Sequence, residues 1–236
     1  MHDRYLYLAV DLFSFIVPFL FAFERRWLHF IGQWKSILFG LSVMSGFFIV
    51  WDILFTSLGV WGFNDRYLLG VRFFELPLEE YLFFVLIGFC CLFVYASMNH
   101  IIRQTWPEHW FRKLFLGVAI IDLLIAGWYW DQLYTFWALG LNALGILVLL
   151  RWGASFFLWK KFFIGYAISF IPFMIVNGIL TGSFTPEPVV WYDDQENVGV
   201  RLGTIPIEDS QYMMLMLLIS IYAYEWFRRD SNKMLS

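Results

Sequence analysis

Apolar residues in this chain gather into seven long runs, separated by short segments that hold most of the charge. A helix crossing the hydrocarbon core of a bilayer needs about 20 mostly apolar residues. The runs over 5–23, 36–58, 79–98, 114–130, 134–152, 162–182 and 209–227 fit that requirement. The fourth ends at Asp131 and Gln132, which leave a very short turn before the fifth. The first run has no small-residue cleavage site behind it and reads as a retained helix, not a signal peptide. The pattern predicts an all-α fold, a polytopic membrane bundle of seven transmembrane helices.

Basic residues orient that bundle. Arg25, Arg26 and Lys35 follow the first run, Arg103, Arg112 and Lys113 the third, Arg151, Lys160 and Lys161 the fifth, and Arg228, Arg229 and Lys233 the seventh. Against these stand Arg4, Arg66, Arg72 and Arg201, so 12 of the 16 Lys and Arg share one side. The positive-inside rule then puts the N-terminus outside and the C-terminus in the cytoplasm, as expected of a multi-pass protein of the plasma membrane.

The chain also repeats itself. Residues 70–80 read Gly-Val-Arg-Phe-Phe-Glu-Leu-Pro-Leu-Glu-Glu, and residues 199–209 read Gly-Val-Arg-Leu-Gly-Thr-Ile-Pro-Ile-Glu-Asp. The same offset carries the first run, 5–23, onto the fifth, 134–152, and Asp52 late in helix 2 has Asn177 as its counterpart late in helix 6. Helices 1–3 therefore match helices 5–7, with helix 4 as a linker that keeps both halves in the same orientation, a parallel repeat about the membrane normal. The implied division is 1–100, 101–133 and 134–236.

In each half the repeated proline stands where a helix begins, a position at which its missing N–H costs nothing. Glu79 and Glu80, and likewise Glu208 and Asp209, then occupy the first turn of helices 3 and 7. Neighbours on a helix point about 100° apart, so one acid of each pair can face the bundle interior. Asp52 lies within helix 2, and an ionisable group at membrane depth is a functional candidate. Arg72 and Arg201 lie upstream of the acids, either as their salt-bridge partners or as headgroup contacts. Aromatic residues crowd the same end: Trp51, Trp61, Phe73, Phe74, Phe83 and Phe84 in the first half, Tyr212 in the second. They fit an interfacial belt, yet aromatic faces also stabilise cations, including a carbocation made by protonating an alkene.

Composition narrows the class. Hydrophobic residues make up 61% of the chain and charged ones 15%, against roughly 25% charged in a soluble domain. A net charge of −3 gives no surface for nucleic acid. Cys90 and Cys91 are adjacent and suggest no structural disulfide. His2, His29, His100 and His109 are scattered, unlike the clusters a metal centre needs, and no glycine-rich dinucleotide or phosphate loop occurs. Neither a metal nor a cofactor is expected. Helix 7 has no lysine, which excludes a retinal Schiff base. Asp193-Asp194 reads as a solvated loop.

The tandem Pro-x-Glu-[Glu/Asp] motif, with Trp51-Asp52 and Gly59-Val60-Trp61-Gly62-Phe63 ahead of its first copy, resembles the membrane-integral lycopene cyclases, in their fused form. The resemblance covers both halves and implies a carotenoid substrate, lycopene, whose linear ψ-end groups are closed to β-rings by acid–base chemistry without a redox cofactor. Carried onto this sequence, the family's motif falls on Pro77, Glu79, Glu80, Pro206, Glu208 and Asp209. Asp209 and Asn177 stand where the first half has Glu80 and Asp52, so helices 2 and 3 form the more complete acid site. A 3+1+3 repeat is also the plan of small-solute transporters, but the polar groups here cluster toward one face and not along a pore. The oligomeric state has no signal in the sequence.

Overall fold

The computed structural model describes residues 3–25, 28–101, 106–153 and 157–233. Arg26 and Arg103 of the charge pattern, and His2, lie outside the described residues. Seven α-helices are found among them: α1 (Leu6–Ala22), α2 (Trp34–Ser57), α3 (Leu78–Ile101), α4 (Glu108–Trp128), α5 (Leu133–Trp152), α6 (Trp159–Leu180) and α7 (Glu208–Lys233). Each apolar run became one helix.

Five of them, α1, α2, α3, α5 and α6, are long and apolar enough to cross a membrane. The other two are more polar for identifiable reasons. α4 carries Glu108, Arg112, Lys113 and Asp122. α7 packs against α2, α3, α5 and α6, so its polar side chains meet protein where a peripheral helix would meet lipid. The outward faces are apolar, with Phe13, Leu20, Ile121, Leu124 and Ile171 exposed, as suits helices facing hydrocarbon. Small residues permit the closest crossings, as they do in membrane bundles: a side-chain carbon on Gly40 of α2 would come within 2.8 Å of the Ser220 carbonyl of α7.

The loops hold strand pairs that the apolar pattern did not predict. β1 (Trp61–Phe63), between α2 and α3, pairs antiparallel with β4 (Val190–Tyr192), between α6 and α7. The register is Trp61 with Tyr192, Gly62 with Trp191 and Phe63 with Val190. In the offset of the repeated motif, Gly62 corresponds to Trp191 and Phe63 to Tyr192. Each strand thus contacts the other through equivalent positions, which is the signature of a two-fold axis and places this ribbon at the junction of the halves. Trp191 packs directly over Gly62, where any side-chain carbon would stand 2.4 Å from its ring.

Two further hairpins are the repeated motif itself. β2 (Arg72–Phe73) pairs with β3 (Leu76–Pro77), and β5 (Arg201–Leu202) with β6 (Ile205–Pro206). The glycine that opens each copy has a positive φ, 86° at Gly70 and 74° at Gly199, a conformation side chains oppose and glycine accepts freely. The prolines, expected at helix starts, close each hairpin one residue or two ahead of the helix.

Candidate active site

Each motif arginine ties its own hairpin together. Arg72 donates to the Glu75 carbonyl at 2.8 Å and Arg201 to the Thr204 carbonyl at 2.7 Å. Their remaining nitrogens reach Asp65 at 2.6 Å and Asp194. The arginines are therefore partners of loop aspartates and not of the helix-start acids. The hydrogen bond from Arg201, with its charge, holds the Asp194 carboxyl below the usual carboxylate range. That contact gives one member of the Asp193-Asp194 pair a structural partner.

The two acids of each pair divide their work in the same way in both halves. Glu79 accepts the Leu69 backbone N–H at 2.6 Å. Glu208 accepts the Val198 N–H at 2.8 Å and the Thr135 hydroxyl at 2.7 Å. These two anchor the incoming loop to the first helical turn, where the helix dipole also favours a carboxylate. Glu80 and Asp209 turn into the bundle and line one cavity. Its walls include Tyr7, Trp61, Phe83, Tyr134, Phe173, Asn177, Tyr192 and Tyr212.

The surroundings of the two inward acids match in plan and differ in chemistry. Tyr7 of α1 donates to Glu80, and Tyr134 of α5 donates to Asp209. Asp209 receives two more donors, Asn177 at 2.5 Å and Tyr192 at 3.1 Å. Three donors on one carboxyl suit its ionised, acceptor-only form. Burial, reinforced by the Asp209 charge, pushes the Tyr192 phenol well above its ordinary value, so it stays a neutral donor. Glu80 faces a carboxyl where Asp209 faces an amide: Asp52 is its side-chain neighbour, itself receiving Tyr212 at 3.3 Å. Two carboxyl groups can bond only with a proton between them. The difference between Asp52 and Asn177 thus sets a second carboxyl beside Glu80 and an amide donor beside Asp209.

The aromatic residues named from the sequence separate. Trp61 and Phe83 line the cavity, as does Tyr212. Trp51 and Phe84 are buried behind it, with Trp51 stacked on Phe48 at 5.7 Å and 5.1 Å from Tyr212. Phe73 and Phe74 lie elsewhere: they are 53% and 79% exposed at the tip of the first hairpin, where Phe73 ends β2 and Phe74 begins the two-residue loop. Four residues were missed in the sequence. Tyr7 escaped because the motif's offset pairs Tyr134 with Tyr5, whereas the helices themselves equate Tyr134 with Tyr7. Tyr134 begins an apolar run with nothing to single it out, and Tyr192 lies among many aromatic residues at that end. Asp11, fully buried in α1 with neither oxygen partnered, was visible to the same rule that singled out Asp52.

A family model described as lycopene cyclase matches residues 4–98 and 131–227. The two segments take in most of the chain and omit 99–130, the stretch that holds the whole of α4. Comparison with curated proteins and with solved structures finds no significant match.

Proposed function

The chain belongs to the lycopene cyclase family, and from that premise we propose that it is a cofactor-independent lycopene β-cyclase, an isomerase of the intramolecular lyase type, with one active site built from both repeats. The observation carrying this reading is that Glu80 and Asp209, one from each half, line the same cavity. Glu80, sharing a proton with Asp52, is the acid. It protonates the terminal double bond of a ψ-end group and leaves a tertiary cation. The neighbouring alkene attacks that cation intramolecularly, closing the six-membered ring and moving the charge onto it. Asp209 removes a ring proton, and the electron pair of that C–H bond forms the β-ring double bond. One proton enters and one leaves, so the product is an isomer of the substrate and no electrons are transferred.

The rings of Trp61, Tyr134, Tyr192 and Tyr212 supply the faces that stabilise cationic charge, each such contact contributing about 0.5–2 kcal/mol. A single composite site means that the two ends of lycopene are processed in turn at one place. We place the enzyme in the plasma membrane as seven spans, N-terminus out, divided into repeats 1–100 and 134–236 around the linker 101–133.

The test is pigment analysis in lycopene-accumulating cells carrying single amide variants. Glu80→Gln and Asp209→Asn keep shape and remove the titrating group, and loss of general acid–base catalysis typically costs about 10²–10⁴-fold. Both are expected to leave lycopene uncyclised while the protein accumulates in the membrane. Glu79→Gln and Glu208→Gln are expected to retain colour, because an amide oxygen still accepts the loop N–H. Monocyclic product from either inward variant would replace the composite site with two separate ones. Unchanged lycopene with the parent chain, together with solute uptake, would favour the transporter.

A further inference from the structure

On the cyclase reading the cavity receives one end group, and the rest of a linear carotenoid needs a seat outside it. A conjugated polyene is a stiff rod that cannot coil beside its own end, so it needs a straight apolar path leading out of the cavity. Such a groove lies between α1, α3 and α6, walled by Ser14 and Pro18, Ile87 and Val94, and Pro172 and Phe173. Phe173 belongs to the walls of both groove and cavity. On each helix the groove continues a series that starts at the cavity: Tyr7 precedes Ser14 and Pro18, Glu80 precedes Ile87 and Val94, and Asn177 is one turn from Phe173. At about 1.5 Å of rise per residue, α3 runs roughly 21 Å from Glu80 to Val94.

Two features of the sequence that the acid site does not use meet here. Pro18 and Pro172 are the prolines inside α-helices among the described residues, and both stand in the walls of this groove. A proline removes a helical hydrogen bond and disturbs its turn, which keeps neighbouring helices from closing over the gap. The repeat places a second groove between α2, α5 and α7, with Gly145 at the position matching Pro18 and Ala223 at that matching Val94. That groove lacks the prolines, and its walls share no residue with the cavity.

We propose that the groove between α1, α3 and α6 holds the polyene body of the substrate, and that carotenoid passes sideways from the lipid into the cavity on this side alone. The proposal rests on the cyclase reading above. It is tested with two acyclic substrates bearing the same ψ-end group: lycopene, and a short polyene whose chain stops before Val94. Val94→Trp fills the far end of the groove and is expected to slow lycopene cyclisation at least about tenfold, a loss of about 1.4 kcal/mol of transition-state binding. The same variant should convert the short substrate within about twofold of the parent rate, which also reports that its cavity is folded. Ala223→Trp in the matching groove should convert both substrates normally.

Normal lycopene turnover by Val94→Trp would overturn the proposal and leave the groove to lipid acyl chains. So would equal losses in Val94→Trp and Ala223→Trp, or equal losses on the two substrates. A parent protein that cyclises neither substrate would defeat the cyclase reading itself, and the proposal with it.

Discussion

At the scale of single residues, the duplicated acids form two sets. Glu79 and Glu208 are fastened to backbone N–H groups of the loops they follow, so one member of each pair anchors a loop. The inward members differ by what faces them, Asp52 opposite Glu80 and Asn177 opposite Asp209. Asp11 adds a further carboxyl to the first half, one turn from Tyr7 on the same face of α1, where the second half has Ala138. Neither Asp11 oxygen has a donor, and a buried polar group without a partner costs about 1–3 kcal/mol. Asp11→Leu is therefore expected to raise the unfolding midpoint in detergent, measured by thermal denaturation against the parent chain. A lowered midpoint would mean that Asp11 has a stabilising partner, such as a proton shared with the Glu80 cluster.

Among the elements, the hairpins that precede α3 and α7 deliver the acids to the cavity. Each hairpin is held by an opening glycine with positive φ, an arginine reaching back to its own turn, and an acid that clamps the loop. All three recur in both copies. On the proposed reading one inward acid of each copy acts on substrate, and the rest of the eleven residues aims it. Gly70→Ala would force a side chain into the left-handed region, at a cost of about 1–2 kcal/mol. The expected outcome is a lower thermal midpoint and a reduced cyclisation rate. An unchanged midpoint and rate would show that the Gly70 conformation is not needed to position Glu79 and Glu80.

For the molecule as a whole, the ribbon of β1 and β4 joins equivalent positions of the two halves, and the cavity lies where the halves meet. A parallel repeat brings both motifs to the same end of the bundle, which an inverted repeat would not. In the proposed orientation, which follows the basic residues, that end faces outside. A reporter fused after Lys233 should accordingly report cytoplasm, and one inserted within 187–198 the exterior. Both reporters on one side would mean an even number of spans between the two positions and would remove the seven-span arrangement.

The linear pattern was sufficient for the helices and the repeat. Spans are written in runs of apolar residues because lipid tolerates little else, and the motif is written in order along the chain. Five of the six acids, all but Asp11, were legible for the same reason: a carboxylate in an apolar run or at a repeated helix start stands out. Facing partners were not legible. Tyr7 and Glu80, Tyr134 and Asp209, and Tyr212 and Asp52 are far apart in sequence and meet only when helices pack, and a two-residue difference between the motif offset and the helix offset hid the first pair. Phe73 and Phe74 fell next to the acids in sequence yet point away from them, since a hairpin turn reverses direction within two residues. Packing across the two-fold junction alone decided that two distant acids share one cavity, because contact between halves depends on three-dimensional register, which the order of residues does not encode locally.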